Sequence, residues 1–191
     1  NKGRLSKLWN RSLTKNMLSA FSRVSAKCEP SHFAEGNYMV LRDAEGGRSQ
    51  VHFLHGNPKL GDPTLKAFDI VCAKFTEAYQ LSRELGTRFV VVYAPSAYAV
   101  HHNLSNVIEV SKEVQTWEPN DLPERIRAML ADISPDIDYL DLTPVLRSAA
   151  EKGSRIFLVD DTHWTALGHR IVAKAISDFL NSYPQDIRTY W

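Results

Sequence analysis

The sequence predicts a layered α/β domain, and three observations point to it. A helix begins at Asp62-Pro63 and carries Leu65, Phe68, Cys72, Phe75, Tyr79 and Ser82 at spacings of three and four, with Gly86 just beyond it. Arg88 to Pro95 follows, a continuous β-branched and aromatic run of the kind that a parallel strand buries on both faces. A second such run, Arg155 to Val159, precedes the last helix, and strands that alternate with helices make layered α/β folds. The 191 residues, at roughly 150 per domain, amount to about 1.3 domains. One unit is expected, with residues 62–191 as its α/β core and residues 1–61 as an N-terminal helix and hairpin excursion of the same domain.

Each element has its own signal. Leu5, Leu8, Trp9, Leu13, Met17, Leu18, Phe21 and Val24 mark an amphipathic helix, and Lys2, Arg4, Lys7, Arg11 and Lys15 give it a basic, solvated face. Tyr38 to Leu41 and Gln50 to Leu54 read as two strands around the loop from Asp43 to Gly47, a hairpin that suits a small lid. Asp62 is the expected N-cap of the next helix, with Pro63 in its first turn. After the Arg88–Pro95 strand, Asp121-Leu122-Pro123-Glu124 resembles a capping box for a helix through Ile126, Met129 and Leu130 that stops before Ser134-Pro135. A short strand over Ile137–Leu142 leads into a helix that starts at Thr143-Pro144 and ends near Gly153. Arg155–Val159 is the next strand. The final helix turns Leu167, Ile171, Val172, Ala175, Ile176, Phe179 and Leu180 toward the sheet, and the tail to Trp191 is a surface strap.

Composition narrows the function classes. Hydrophobic residues at 43% and charged residues at 24% are ordinary for a globular domain, and 9 Gly with 9 Pro are too few for a low-complexity chain. The net charge is +1 and no basic run is dense enough to grip phosphates, so nucleic acid is not an expected partner. The longest apolar run, Phe89 to Ala94, falls far short of the ~20 residues that span a bilayer. Cys28 and Cys72 lie in no metal or redox spacing and read as two buried thiols. The chain starts at Asn1 and its first methionine is Met17, which suggests a processed product or a piece of a longer protein. Its oligomeric state has no signature in the sequence.

The residues that carry chemistry stand together in Asp160-Asp161-Thr162-His163-Trp164, between the Arg155–Val159 strand and the last helix. That is the carboxyl end of a predicted parallel strand, the edge at which open α/β sheets bind ligands. An imidazole takes a proton from a nucleophile when one ring nitrogen faces it and the other donates to an acceptor. Asp161 or Asp160 is that acceptor for His163. The helix N-terminus disfavours the imidazolium and the carboxylate favours it, opposing effects that suit a general base.

The block from Val159 to His169, Val-Asp-Asp-Thr-His-Trp-Thr-Ala-Leu-Gly-His, resembles the last block of SGNH (GDSL-type) hydrolases, in the Asp-x-His-Trp version found in bacterial polysaccharide O-acetylation and deacetylation. Tyr139 to Pro144 and Phe89 to Ser96 resemble the strand segments ahead of that block, so the resemblance spans roughly Asp62 to Leu180. It implies a three-layer α/β/α sandwich with a mainly parallel, flavodoxin-like sheet, present here as its C-terminal portion. It implies His163 as general base and Asp161 as its orienter, with Asp160 as the alternative because many members place the acid three residues before the histidine. It implies an acylated carbohydrate or small ester as substrate, no metal or organic cofactor, and a site of action outside the cytoplasm.

The sequence departs from the family where the nucleophile should be. No Gly-Asp-Ser segment is present, and Ser177 and Ser182, the only serines after the Asp-x-His block, fall in or near the last helix. The expectation is therefore a C-terminal portion of a serine esterase or O-acyltransferase whose nucleophile precedes Asn1. Glu35-Gly36-Asn37-Tyr38 is the nearest text to an oxyanion-hole block, although a turn is its plainer reading. Ser96 follows a buried strand and is either an in-chain nucleophile or substrate contact, or a loop serine that caps its own turn. Trp164 either walls the site, where an indole stacks on a sugar face, or packs. His169 reads as a helix residue or as a partner behind the site. Two further readings are a non-catalytic module that binds glycan or a partner, and a metal-dependent hydrolase on His101, His102, Asp161 and His163. A glycosidase built on Glu35, Asp141 and Asp160 ranks below both.

Overall fold

A computed structural model describes residues 36–53, 60–159 and 161–182, apart from the side chains of residues 62–66. The Leu5–Val24 helix, Cys28, Glu35, Leu54, Asp160 and the tail after residue 182 lie outside the described residues. The elements run β1 (Tyr38–Arg42), β2 (Arg48–His52), α1 (Asp62–Glu84), β3 (Val90–Tyr93), α2 (Ala97–His101), β4 (Val107–Val110), a 3-10 turn over Val114–Thr116, α3 (Leu122–Ile133), β5 (Asp138–Asp141), α4 (Thr143–Glu151) and α5 (Ala166–Asn181). The fold is α/β.

Most helices follow their sequence signals. In α1 the expected face is the covered one, since Phe68, Cys72, Phe75 and Tyr79 are half-buried and Ser82 is buried, while Ile70 and Leu81 point outward. Cys72 is a free thiol. The helix stops at Gly86, whose φ of 65° suits a residue without a Cβ. Two caps differ from expectation. Gly61 takes the N-cap of α1 in place of Asp62. At α3, Asp121 makes no cap bond; its carboxylate accepts from Arg125 Nε at 2.7 Å, and the first helical N–H goes to Asn120 Oδ1 at 3.1 Å. An arginine one turn on competes for the carboxylate that a capping box would use.

Among the described residues the strands make two small sheets rather than one parallel sheet. β1 pairs antiparallel with β2 and with β4, in the order β2-β1-β4, while β3 and β5 form a parallel pair with Val90 opposite Asp138 and Tyr93 opposite Asp141. β4 has no counterpart among the expected strands, and α2 replaces an expected loop. Arg155–Val159 is not a strand either, and keeps a single bridge from Phe157 to Trp164. Its apolar side chains are buried nonetheless, with Ile156 and Phe157 packed among Val100 of α2, Leu142, Leu146 and Ala150 of the α4 region, and Val172 of α5. Helices cover them, so a strand ladder is not required.

Two contacts lock this core. Arg147 on α4 donates through Nη1 to the carbonyls of Ala99 (3.0 Å), Val100 (3.3 Å) and His102 (2.8 Å), groups that the end of α2 leaves without helical partners. The loop between β1 and β2 rests on Gly153, where an added Cβ would lie 2.2 Å from Ala44 N. Gly153 and Gly86 both have positive φ, 79° and 65°, but Gly86 has open space around it. Gly86→Ala is therefore expected to cost about 1 kcal/mol for backbone strain alone, and Gly153→Ala clearly more, because backbone must move. Equilibrium urea unfolding of the two variants checks this, and equal losses would refute the close packing at Gly153.

Candidate functional site

The candidate site is the tip of a closed loop. Ile156 and Thr165 approach so that the Thr165 N–H donates to the Ile156 carbonyl at 2.8 Å, Phe157 and Trp164 form the antiparallel bridge, and the Leu158 N–H donates to the His163 carbonyl at 3.0 Å. These rungs hold Ile156–Leu158 alongside His163–Thr165. Thr165 fastens its base: the hydroxyl donates to the Arg155 carbonyl at 2.8 Å and accepts from the Gly168 N–H at 3.1 Å as the N-cap of α5. Gly168 permits the approach, because a Cβ there would meet the Ile156 carbonyl oxygen at 2.6 Å. The sequence reading did not single out this clasp, although a threonine at the head of the last helix is the N-cap signal that could have marked it.

At the tip, Asp161 Oδ1 accepts from two donors of His163, its backbone N–H at 3.2 Å and its ring Nδ1 at 2.5 Å. A carboxylate accepts, so Nδ1 carries the hydrogen, and in the neutral ring the lone pair is left on Nε2. The His163 hydrogen bond, followed by the local backbone N–H groups and the imidazole charge, holds the Asp161 carboxyl below its ordinary value. The His163 side chain is 78% exposed and that of Asp161 39% exposed. The pair thus presents one imidazole nitrogen to solvent while the other is already engaged. Among the described residues no hydroxyl is hydrogen-bonded to the His163 ring.

The other candidates lie elsewhere. Asp160 is outside the described residues. Trp164 is half-buried, packs against the hydrophobic core and receives the His169 ring edge-on at 5.6 Å, so His169 supports the indole. Ser96 caps α2, its Oγ accepting from the Ala99 N–H at 3.2 Å, which is the turn-capping alternative. Ser177 and Ser182 sit near the C-terminal end of α5, the end away from the loop, where the Ser182 hydroxyl donates to the Phe179 carbonyl at 2.7 Å. Asn37 gives its carbonyl to the Phe53 N–H at 2.8 Å beside the hairpin, and Asp141 accepts from the Thr143 N–H at 2.8 Å.

The four-residue metal set is not assembled. His101 is buried in the core at 1% exposure, its Nδ1 donates to the Ala97 carbonyl at 2.8 Å, and burial pushes its pKa down to about 4. Tyr98 gives its hydroxyl hydrogen to the Trp117 carbonyl at 2.8 Å, so the 2.9 Å contact with His102 has Nδ1 donating to the Tyr98 oxygen. Burial, with a smaller contribution from Arg147, lowers the His102 pKa. Neighbouring side chains on a helix diverge, and no group of three His, Cys, Asp or Glu able to hold a metal occurs among the described residues.

A family model described as the SGNH hydrolase-like domain of acetyltransferase AlgX matches residues 73–189, more than half of the chain and all of the Ile156–Thr165 loop. No curated protein and no solved structure matches.

Two measurements follow from this geometry. Thr165→Ala removes both clasp bonds and is expected to lower stability by about 1–2 kcal/mol, with Thr165→Ser recovering most of it. Because the Asp161 pKa is depressed, its stabilising effect is present above the ordinary value of 3.8 and is lost as pH falls through the lower folded value. Asp161→Asn should therefore lower the urea midpoint at pH 6 and lower it less as the pH falls below 3.8, and a loss of equal size across that range would remove the charge from the account.

Proposed function

The chain belongs to the SGNH hydrolase-like family of acetyltransferase AlgX, and on that premise we propose that it is the base-bearing portion of a serine esterase or O-acetyltransferase. The observation that carries this reading is the Asp161–His163 pair, with Nδ1 engaged and Nε2 presented at 78% side-chain exposure. The reading requires a serine nucleophile, and among the described residues Ser96 and Ser182 are committed to local helix contacts. The parallel pair β3–β5 is then part of a larger, mainly parallel sheet in a three-layer α/β/α sandwich. The substrate is an ester, in our reading acetyl on a bacterial polysaccharide met outside the cytoplasm, and Trp164 flanks the sugar. No described helix is long and apolar enough to cross a membrane.

The chemistry is acyl transfer through a covalent intermediate. His163 Nε2 takes the hydroxyl proton as the serine oxygen bonds to the acyl carbonyl carbon. Collapse of the tetrahedral adduct breaks the ester bond, and the alcohol leaves with that proton from Nε2. Water or an acceptor hydroxyl then gives its proton to Nε2, attacks the acyl-serine and releases acid or new ester, and the proton returns to the serine. Asp161 holds the ring in the tautomer each step needs and stabilises the imidazolium between proton transfers.

A second reading is a non-catalytic glycan- or partner-binding module, favoured by the lack of a described hydroxyl on the His163 ring. Hydrolysis of p-nitrophenyl acetate by the full-length gene product decides between them. For the enzyme, His163→Ala and Asp161→Asn are each expected to lower kcat/KM by about 10²–10⁴-fold. A wild-type protein that is folded but inactive toward esters, with or without an acceptor glycan, would leave the binding module.

A further inference from the structure

We propose that the β1–β2 hairpin is the positioning frame of the Asp161–His163 pair, and that it acts through the backbone N–H of His52. The inference rests on the esterase or acetyltransferase reading of His163. It concerns a part of the chain that precedes the family-matched residues 73–189.

The strand register sets the direction of the His52 N–H. Tyr38 stands opposite His52, and Tyr38 turns its N–H to Ser111 Oγ (3.2 Å) and its carbonyl to the Ser111 N–H (3.0 Å), away from β2. The neighbouring rung, from the Phe53 N–H to the Asn37 carbonyl, is closed at 2.8 Å. Tyr38 and His52 are therefore a non-hydrogen-bonded antiparallel pair, whose polar backbone groups point outward on both strands. β2 is at the edge of its sheet, so the His52 N–H faces out of the sheet. Its acceptor is the Val159 carbonyl at 3.1 Å, on the limb that leads into the Asp161–His163 tip. At the other end of the hairpin, the loop seats on Gly153, so the hairpin braces both ends of residues 153–159.

The site needs such a brace. The ring of His163 is 78% exposed and, among the described residues, is hydrogen-bonded only to Asp161, so the backbone of the loop sets its direction. The Leu158–His163 and Thr165–Ile156 rungs close the loop on itself, whereas the His52–Val159 bond ties it to a separate, buried sheet. Met39, Val40, Leu41 and Val51 anchor that sheet in the core.

The test is His52→Pro in the full-length gene product. The substitution deletes the outward N–H and no hairpin bond, and proline is tolerated at sheet edges. The expected result is a kcat for p-nitrophenyl acetate about 10- to 100-fold lower with KM unchanged, since small displacements of a catalytic group cost that much. Amide hydrogen exchange at Leu158 and Thr165 should quicken, and His52→Ala, which retains the N–H, should restore both readouts. Unchanged kcat in His52→Pro overturns the proposal, as does an equal loss in His52→Ala, which assigns the effect to the side chain. Should His52→Pro fail to fold, the wild-type His52 amide decides: protection comparable to Leu158 supports the frame, and the exchange rate of a free edge amide overturns it. Exchange does not depend on catalysis. If the wild-type protein lacks esterase activity, the functional reading fails, and exchange alone decides whether the hairpin orders the loop.

Discussion

The candidate site depends on the closure of the loop between Ile156 and Thr165. Its rungs are backbone bonds, and backbone bonds persist only where both strands of the turn are held at the right separation. The Ile156 side of that separation is fixed by burial, since Ile156 and Phe157 are sealed among α2, α4 and α5. The other side is fixed by Thr165, which ends the loop and begins α5 with one hydroxyl. The polar tip can thus be exposed without being loose. The exposed Asp161–His163 pair gains its orientation from the dry layer beneath.

That layer is held as much by polar contacts as by apolar ones. Arg147 brings a cation to the carbonyl end of α2, which satisfies acceptors that would otherwise be left open and favours charge of that sign at a helix C-terminus. The same cation adds to the effect of burial in keeping His101 neutral beside Phe157. His101 is therefore a core residue that happens to be a histidine. Its neighbour His102 is committed to Tyr98, and the dipeptide that invited a metal reading divides between two structural duties.

The sequence carried the helices and the dyad, and lacked what depends on distant backbone. Proline in the first turn placed α1, α3 and α4, apolar spacing of three and four placed α5, α2 passed as a loop, and the Asp161–His163 pair was visible because its partners are two residues apart. The Arg155–Val159 run misled because continuous hydrophobicity reports burial and is silent on what does the burying. β4 was missed because Val107–Val110 has only four residues and its partner β1 lies far upstream. The His52–Val159 bond has no side-chain signal at all, since any residue but proline supplies that N–H.

The parallel pair β3–β5 has a consequence for how the protein behaves in a test tube. Val90 to Tyr93 has β5 on one margin and, among the described residues, no strand on the other, and Val92 is 38% exposed. A short apolar strand with an open margin is a template for another strand of its own kind. In the larger sheet proposed above that margin is where the next strand sits, and without that neighbour it is where a second copy would pair when the polypeptide is concentrated.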